Sequence, residues 1–364
     1  MNNLATKYRP HTFKDVVGQE NVKKILENQV ATKEFKQAYL FIGSAGTGKT
    51  TLARILATAI NDNKGKPIEV DGASNNGVEN VRKIIDDCKF KALDSKYKIY
   101  IIDECHMLTN GAWNAMLKVI EEPPANTIFM FCTTNPEKIP DTILSRVQRF
   151  DIEKHGTENI VGRLEYILAE ENKEIAYNAG GDQDAVADPM WADKQGIAVY
   201  HYDEDALRYI ANLANGGMRD AITMLDKVVA YDRDITLKSV YTALGTTDYS
   251  QCILLTNALI KKDAKAAINT IEDLFMQGKN LKQFIKDYNT FLTSTLVYVI
   301  TGNIAYAKLL TNYEEQLKHL ITVKNDLVKL MDRFIKLYAN IKWESDVKSF
   351  IEAEVILICN LSDK

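Results

Sequence analysis

The segment GSAGTGKT (residues 43–50) could do the most specific chemistry in this sequence. It fits the pattern G-x-x-x-x-G-K-[ST], in which glycines let several backbone N–H groups point at one anion. Since a helix is predicted just after it, the positive end of that helix would also favour a phosphate. Lys49 is expected to reach the β- and γ-phosphates, and the Thr50 hydroxyl to bind Mg²⁺. The alternative, a glycine-rich turn with an unrelated lysine, fits the flanking strand and helix less well. The residues expected to bind nucleotide are Gly43, Ser44, Ala45, Gly46, Thr47, Gly48, Lys49, Thr50 and Thr51.

Two adjacent acids end the apolar run KIYIIDECH (98–106). The carboxyl ends of parallel strands meet at one sheet edge, so this pair would face the phosphate-binding segment. Because neighbours on a strand point in opposite directions, the two acids can take different roles. We expect Asp103 to hold the Mg²⁺ shell and Glu104 to polarise the attacking water. The alternative is that both are strand-end caps in solvent.

Three further polar residues are candidates only in combination with that site. Thr134 follows another apolar run in CTTNP (132–136) and could hydrogen-bond the γ-phosphate or the water. Arg219 begins a helix after two glycines and could approach the site. Arg146, in DTILSRVQRF (141–150), is by itself as well explained as a surface arginine.

The elements that must position these residues alternate over the first 150 positions. Apolar runs at 38–42, 67–70, 98–103 and 127–134 predict strands, and the segments between them carry apolar residues at helical spacing. Strands that are apolar throughout and separated by helices predict a parallel sheet covered on both faces. The first part of the chain is therefore predicted to be an α/β domain.

From about residue 158 the strand signals stop and helical patterns continue to the end. An acidic segment near 172–202 interrupts them, and we interpret it as a loop or small insertion. The fold class expected is α/β followed by all-α. The predicted domains are a nucleotide-binding domain at 1–157, a helical lid domain at 158–240 with the insertion, and a helical collar domain for oligomerisation at 241–364.

Composition limits the class of protein. The 364 residues are 46% hydrophobic and 26% charged with a net charge of −4, which is typical of globular proteins and unlike one that coats nucleic acid by bulk charge. No secretory h-region is visible at the N-terminus, and the most apolar C-terminal stretch (291–300) has about half the length of a membrane span. Five cysteines without a C-x-x-C pair are typical of reduced thiols, so we expect a cytoplasmic protein with no membrane partner.

The order of these motifs along the chain resembles that of AAA+ ATPases. Among AAA+ ATPases, the resemblance is to the clamp-loader γ/τ subunits of bacterial DNA polymerase III. The stretches that carry the resemblance are YRPHTFKDVVGQENV (8–22), GSAGTGKTTLARILA (43–57), IEVDGASNNGVENVR (68–82), YIIDECHML (100–108), NAMLKVIEEPP (114–124), TTNPEKIPDTILSR (133–146), GGMRDAITMLDK (216–227) and ALGTTDYSQ (243–251). They are spread, in this order, over about two thirds of the chain.

The resemblance implies an AAA+ core with parallel sheet, lid and collar, and it implies roles for single residues. Asp103 and Glu104 would be the Walker B pair, Thr134 sensor 1 and Arg219 sensor 2. Arg146 would be the arginine finger that completes the ATP site of the adjacent subunit. The residues where family members enclose the adenine are Tyr8, Val16 and Val17. The residues of a segment that faces the DNA backbone in related loaders are Asn75, Asn76 and Arg82.

The same resemblance implies ATP and Mg²⁺ as ligands, with a sliding clamp, primer–template DNA, δ- and δ′-like subunits and further copies of the chain as partners in a pentameric ring. NDNKGKP (61–67) stands where cellular relatives carry a four-cysteine zinc module, so we expect no zinc. The chain also stops soon after the expected collar, which suggests a short variant from a phage or another mobile element in a bacterial host.

Two other functions are compatible with these motifs. One is another AAA+ DNA-processing ATPase, for branch migration or replication restart, although no winged-helix pattern follows the lid. The other is a non-hydrolysing scaffold subunit of a clamp-loader ring, which the intact phosphate-loop and Asp-Glu motifs disfavour.

Overall fold

A computed structural model describes residues 3–181, 191–246, 248–307, 310 and 313–360. The chain divides into two compact units. Unit one contains residues 1–174 and 214–226, and unit two contains residues 175–213 and 227–364. The three-domain division by function stays a prediction.

Unit one is built on a five-stranded parallel sheet. Its strands, in chain order, are β1 (Ala38–Ile42), β2 (Ile68–Asp71), β3 (Lys98–Asp103), β4 (Thr127–Thr133) and β5 (Gln148–Asp151). Their order across the sheet is β2-β3-β4-β1-β5, so β1 lies between β4 and β5. The phosphate-loop strand is therefore paired on both sides, and all five of its residues are buried, as the apolar run at 38–42 predicts.

Helices that begin in unit one connect and cover these strands. They are α1 (Leu4–Lys7), α2 (Glu20–Thr32), α3 (Lys49–Ile60), α4 (Val78–Asp87), α5 (Asn110–Glu121), α6 (Asp141–Leu144), α7 (Thr157–Asn178) and, later in the chain, α10 (Met218–Tyr231). Short 3₁₀ segments occur at Phe13–Asp15, Cys105–Met107 and Pro136–Lys138.

Alternate residues of the three central strands, β1, β3 and β4, enter two separate cores. On β1, Tyr39 and Phe41 pack in the core that also holds residues of α2 and α3. Leu40 and Ile42 pack in the core that holds Trp113 of α5. Since successive side chains on a strand point to opposite faces, a sheet covered on both sides needs an apolar residue at every position.

Among its described residues, unit two is helical apart from one short strand pair. Its helices are α8 (Trp191–Lys194), α9 (Glu204–Leu213), α11 (Leu237–Leu244), α12 (Tyr249–Ile260), α13 (Ala264–Met276), α14 (Leu281–Thr301), α15 (Glu314–Leu317), α16 (Lys324–Asn340) and α17 (Val347–Asn360). Further 3₁₀ segments are Ile304–Tyr306, Lys318–Val323 and Ile341–Trp343. Asp263 and Asn280 cap α13 and α14 by accepting backbone N–H groups, and α13 ends shortly before Gly278.

The fold class, an α/β part followed by a helical part, is confirmed. The expectation that strands stop at about 158 is wrong in one detail, because β6 (His201–Tyr202) pairs in parallel with β7 (Asp234–Ile235). Strands of two residues are too short to show an alternating pattern. Part of the acidic insertion continues α7 as far as Asn178, and its residues 182–190 lie outside the described residues.

Candidate functional site

The phosphate-loop residues lie between the end of β1 and the start of α3. Gly48 immediately precedes the helix with φ +99°, a conformation that residues with a Cβ rarely adopt. The Lys49 side chain is buried, and its Nζ donates to the carbonyl oxygens of Gly43 and Ser44, each at 2.9 Å. The lysine therefore lies along the loop whose N–H groups begin α3.

Gly43 is held by close packing. A Cβ added there would lie 2.6 Å from the carbonyl oxygen of Ile152, which is backbone and cannot rotate away. We expect Gly43→Ala to lower the free energy of unfolding by about 1–3 kcal/mol, as overpacking usually does. Urea denaturation would measure it.

The matched control is Gly162→Ala, at an exposed position inside α7 where an added Cβ meets nothing within 4 Å. Alanine there should stabilise the protein by about 0.5–1 kcal/mol. Equal effects of the two substitutions would contradict the packing explanation.

Oxygen ligands for a divalent cation are present beside this loop. The Thr50 hydroxyl donates to Oδ2 of Asp103 at 2.8 Å, and the backbone N–H of Glu104 donates to Oδ1 at 3.0 Å. A hydroxyl and a carboxylate are hard donors of the kind that Mg²⁺ prefers. The residues present therefore fit a magnesium ion at this edge of the sheet.

Glu104 leaves β3 in the left-handed conformation, with φ +45°. Non-glycine residues in this region occur often at functional sites, where the surrounding structure holds them. Its Oε2 accepts a hydrogen bond from the Thr134 hydroxyl at 3.1 Å. The structure thus brings together the second acid and the strand-end threonine, which are distant in sequence.

These side chains adjoin a cavity of about 260 Å³. The predicted residues that line it are Tyr8, Val16, Val17, Ala45, Gly46, Thr47, Gly48, Lys49, Thr50, Thr51, Asp103, Glu104 and Arg219. Gly43, Ser44, Thr134 and Arg146 are absent from its lining.

Arg219 comes to the cavity because the GGMRD turn packs on the phosphate loop within unit one. The Arg219 backbone N–H donates to the Gly46 carbonyl at 3.3 Å. An added Cβ on Gly46 would be 3.2 Å from the Gly217 Cα. Small residues on both segments allow this approach.

Several cavity residues were missed by sequence reasoning. Arg163 of α7 donates to the Tyr8 carbonyl at 2.7 Å, and its guanidinium lies 4.9 Å from the Tyr166 ring centroid. Burial lowers the pKa of this guanidinium. The Tyr8 hydroxyl donates to Glu171 at 2.7 Å, so α7 holds the N-terminal segment that lines the cavity. The sequence offered one signal for Arg163: it is a charged residue within the apolar pattern of α7.

His155 was also missed. Its Nε2 lies 3.2 Å from the Thr47 carbonyl oxygen, and burial lowers the pKa of its ring. Because a carbonyl can only accept, Nε2 carries the proton in this contact. His155 follows β5 in the chain, and its neutral ring therefore supports the phosphate loop through the Thr47 carbonyl.

Arg146 lies outside the cavity, just after α6. Its guanidinium pairs with Glu121 at 2.6 Å and donates to the Thr142 carbonyl at 2.6 Å. The side chain is 37% exposed. In this structure, therefore, the Arg146 side chain does not line the cavity of its own subunit.

The candidate DNA contacts also lie apart from the cavity lining. Asn75 donates from its side chain to the Asp71 carbonyl at 3.1 Å, Asn76 is exposed, and Arg82 is exposed on α4. Among the described residues there is no cluster of three His, Cys, Asp or Glu side chains that could hold a metal ion. No helix in the described part of the chain is both long enough and apolar enough to cross a membrane.

Comparison with known proteins connects this site to a family. Residues 18–77 and 68–156 match the family model for the DNA polymerase III delta subunit, and residues 198–233 match that for the clamp loader subunit ATPase lid domain. The DNA polymerase III subunit gamma of Buchnera aphidicola (subsp. Schizaphis graminum) is 32% identical over 76% of this chain and 76% of its own length. The chain belongs to the DNA polymerase III γ/τ family.

A second relative in this family is longer than the chain. The DNA polymerase III subunit tau of Bacillus subtilis is 35% identical over 98% of this chain, which spans 62% of that protein. The chain thus covers less than two thirds of this γ/τ protein. Among solved structures, a Thermotoga maritima RuvB Holliday junction branch migration motor matches with a TM-score of 0.48 and 19% identity, covering 69% of this chain and 79% of its own.

Proposed function

We propose that this γ/τ family member is the ATPase motor subunit of a sliding-clamp loader. ATP binding would favour the assembly that holds the clamp open, and hydrolysis on primer–template DNA would release the clamp closed. The observation that carries the proposal is the single cavity in which the phosphate loop, Asp103, Glu104 and Arg219 meet. Coupling requires that ATP and DNA both favour the same assembled state.

The side chains that line that cavity, and Thr134 beside it, each have a proposed task. Lys49 and Arg219 bind the phosphates, and Tyr8, Val16 and Val17 enclose the adenine. Thr50 and Asp103 would hold Mg²⁺, which when bound neutralises charge on the phosphates. Glu104 orients and polarises the attacking water, and Thr134 positions the Glu104 carboxylate through the hydrogen bond at 3.1 Å.

Arg146 is proposed to act in the ATP site of a neighbouring copy. Two observations support this role: the side chain is partly exposed, and it does not line its own cavity. A ring of copies with δ- and δ′-like subunits, held by the helical collar, would bring it to the next cavity.

The remaining partners follow from the same proposal. Asn75, Asn76 and Arg82 would contact the DNA backbone, where a helix N-terminus can bind phosphate. The complex would work in the cytoplasm of a bacterial cell.

The test is an ATPase assay of the complex reconstituted with its partner subunits. We expect the rate to rise severalfold or more when clamp and primer–template DNA are added together, because both complete the active assembly. An intact complex that binds DNA and clamp but shows no stimulated hydrolysis would instead support a non-hydrolysing scaffold subunit.

A further inference from the structure

We propose that Glu171 of α7 is a positioning residue for nucleotide binding, which holds Tyr8 at the cavity and thereby raises the affinity for ATP. This inference rests on the proposed function, in which Tyr8 encloses the adenine. Glu171 does not line the cavity, so it would act through Tyr8 and not by touching the nucleotide.

The N-terminal segment (3–10) forms part of the cavity lining. Ala5, Tyr8, Arg9 and Pro10 all contribute to it. The helix within this segment, α1, has only four residues, and a helix of that length is not stable by itself in water. The position of this part of the lining therefore depends on contacts that the segment makes with the rest of unit one.

Helix α7 supplies such contacts from one of its sides. Four of its residues contact Lys7 or Tyr8, and these are Arg163, Tyr166, Glu171 and Glu174. Their spacing of three, five and three positions places them on one side of the helix. The ring of Tyr166 meets that of Tyr8 edge to face, with the ring centroids 6.5 Å apart. The segment is thus held by a single face of α7.

Glu171 makes two of these contacts through one oxygen. Its Oε1 accepts from the Tyr8 hydroxyl at 2.7 Å and from Lys7 Nζ at 2.6 Å. An ionised carboxylate can only accept, so the phenol and the ammonium are the donors. Burial and the bond to Glu171 raise the pKa of the Tyr8 hydroxyl, which therefore keeps its proton at neutral pH. The Glu171 side chain is 18% exposed and Glu174 is 55% exposed, so the bonds to Glu171 are the better shielded from solvent.

Tyr8 is held at both of its ends. Arg163 donates to its backbone carbonyl at 2.7 Å, and Glu171 accepts from the hydroxyl at the far end of the ring. When a binding-competent conformation is only partly populated, the apparent affinity for the ligand falls by that fraction. Losing the bond to Glu171 frees the ring end of Tyr8. We therefore expect weaker ATP binding, with no change in the groups proposed to act on the phosphates.

The experiment measures two quantities. Calorimetry gives the Kd of the full chain for ATP, and an ATPase assay of the complex with partner subunits, clamp and primer–template DNA gives KM and kcat. We expect Glu171→Ala to raise Kd and KM by about tenfold or more, the usual effect of losing a hydrogen bond to a charged group. The kcat at saturating ATP should stay within about twofold of wild type, because only binding is affected. Glu171→Gln should recover most of the affinity, since its amide oxygen can still accept from Tyr8.

Two comparisons distinguish positioning from folding. Glu170→Ala changes the preceding glutamate, which pairs with Lys173 of the same helix and lies outside the cavity lining, and should leave Kd, KM and kcat unchanged. Tyr8→Phe removes the hydroxyl and keeps the ring, so it should weaken ATP binding about as much as Glu171→Ala. The double variant should bind no more weakly than either single variant, because the two residues act through one bond.

Other outcomes would overturn the inference. These are a wild-type Kd in Glu171→Ala, an equal loss of affinity in the Ala and Gln variants, or losses that multiply when Tyr8→Phe and Glu171→Ala are combined. The proposed function fails in a different way: the wild-type complex would then bind ATP without hydrolysing it when clamp and DNA are added. In that case the Kd values still decide the role of Glu171. A wild-type chain that does not bind ATP would overturn both.

Discussion

Glu104→Gln is expected to lower ATP turnover of the assembled complex by about 10²–10⁴-fold, the range found for groups that transfer or polarise a proton in the transition state. The amide is nearly isosteric and can still occupy the turn after β3, where Glu104 has φ +45°. It cannot accept a proton as a carboxylate does. ATP binding should therefore remain within about twofold of wild type, measured by titration with a fluorescent ATP analogue.

Glu27→Gln is the matched control, because Glu27 is exposed on α2 and lies outside the cavity lining. That variant should hydrolyse ATP normally. Turnover by Glu104→Gln within about threefold of wild type would exclude Glu104 as the residue that activates water.

Arg146→Ala is expected to lower turnover in the assembled ring by about 10³–10⁵-fold, the contribution of arginine fingers in related nucleotide switches. Nucleotide binding to the isolated chain should be unchanged, since Arg146 is absent from the cavity lining. Single-turnover hydrolysis by the complex, beside equilibrium binding by the free chain, would measure both effects. Arg149→Ala is the control: Arg149 is an exposed arginine three positions away that pairs with Asp151, and its loss should have little effect.

Mixed rings can separate action in trans from action in cis. A ring that contains Arg146→Ala and Glu104→Gln subunits has interfaces where the first supplies an intact Glu104 and the second an intact Arg146. If the finger acts in trans, such rings recover part of the activity that neither variant has alone. No recovery over a range of mixing ratios, with normal assembly, would contradict the trans arrangement.

The fold class and the placement of the phosphate-loop segment between a strand and a helix were predictable because their signals are local. An apolar run, a glycine-lysine-threonine segment and a following helix lie within about twenty residues, 38–60, and the structure places them as β1, loop and α3. The Asp103–Thr50 bond was predictable for a related reason. Parallel strands deliver their carboxyl ends to one sheet edge, so two motifs 53 positions apart meet there.

Other contacts could not be predicted because they join segments through packing. The bond from Arg163 to the Tyr8 carbonyl and the bond from the Tyr8 hydroxyl to Glu171 depend on where α7 crosses the N-terminal segment. The spacing of residues along one segment does not predict where that segment packs against another. Likewise the two-residue strands β6 and β7 exist only because they pair with each other, and each alone is indistinguishable from loop.

By itself the sequence determined the motif chemistry, the parallel sheet and the helical second half, since these depend on residue type and on periodicity along one segment. Only the tertiary structure decided the surroundings of the reactive groups. It placed Arg146 beside Glu121 and outside its own cavity, and it placed the Thr134 hydroxyl on one oxygen of Glu104. The physical reason is that hydrogen bonds of about 3 Å depend on the relative positions of whole elements. Those positions follow from the packing of many buried side chains at once, and no single motif encodes them.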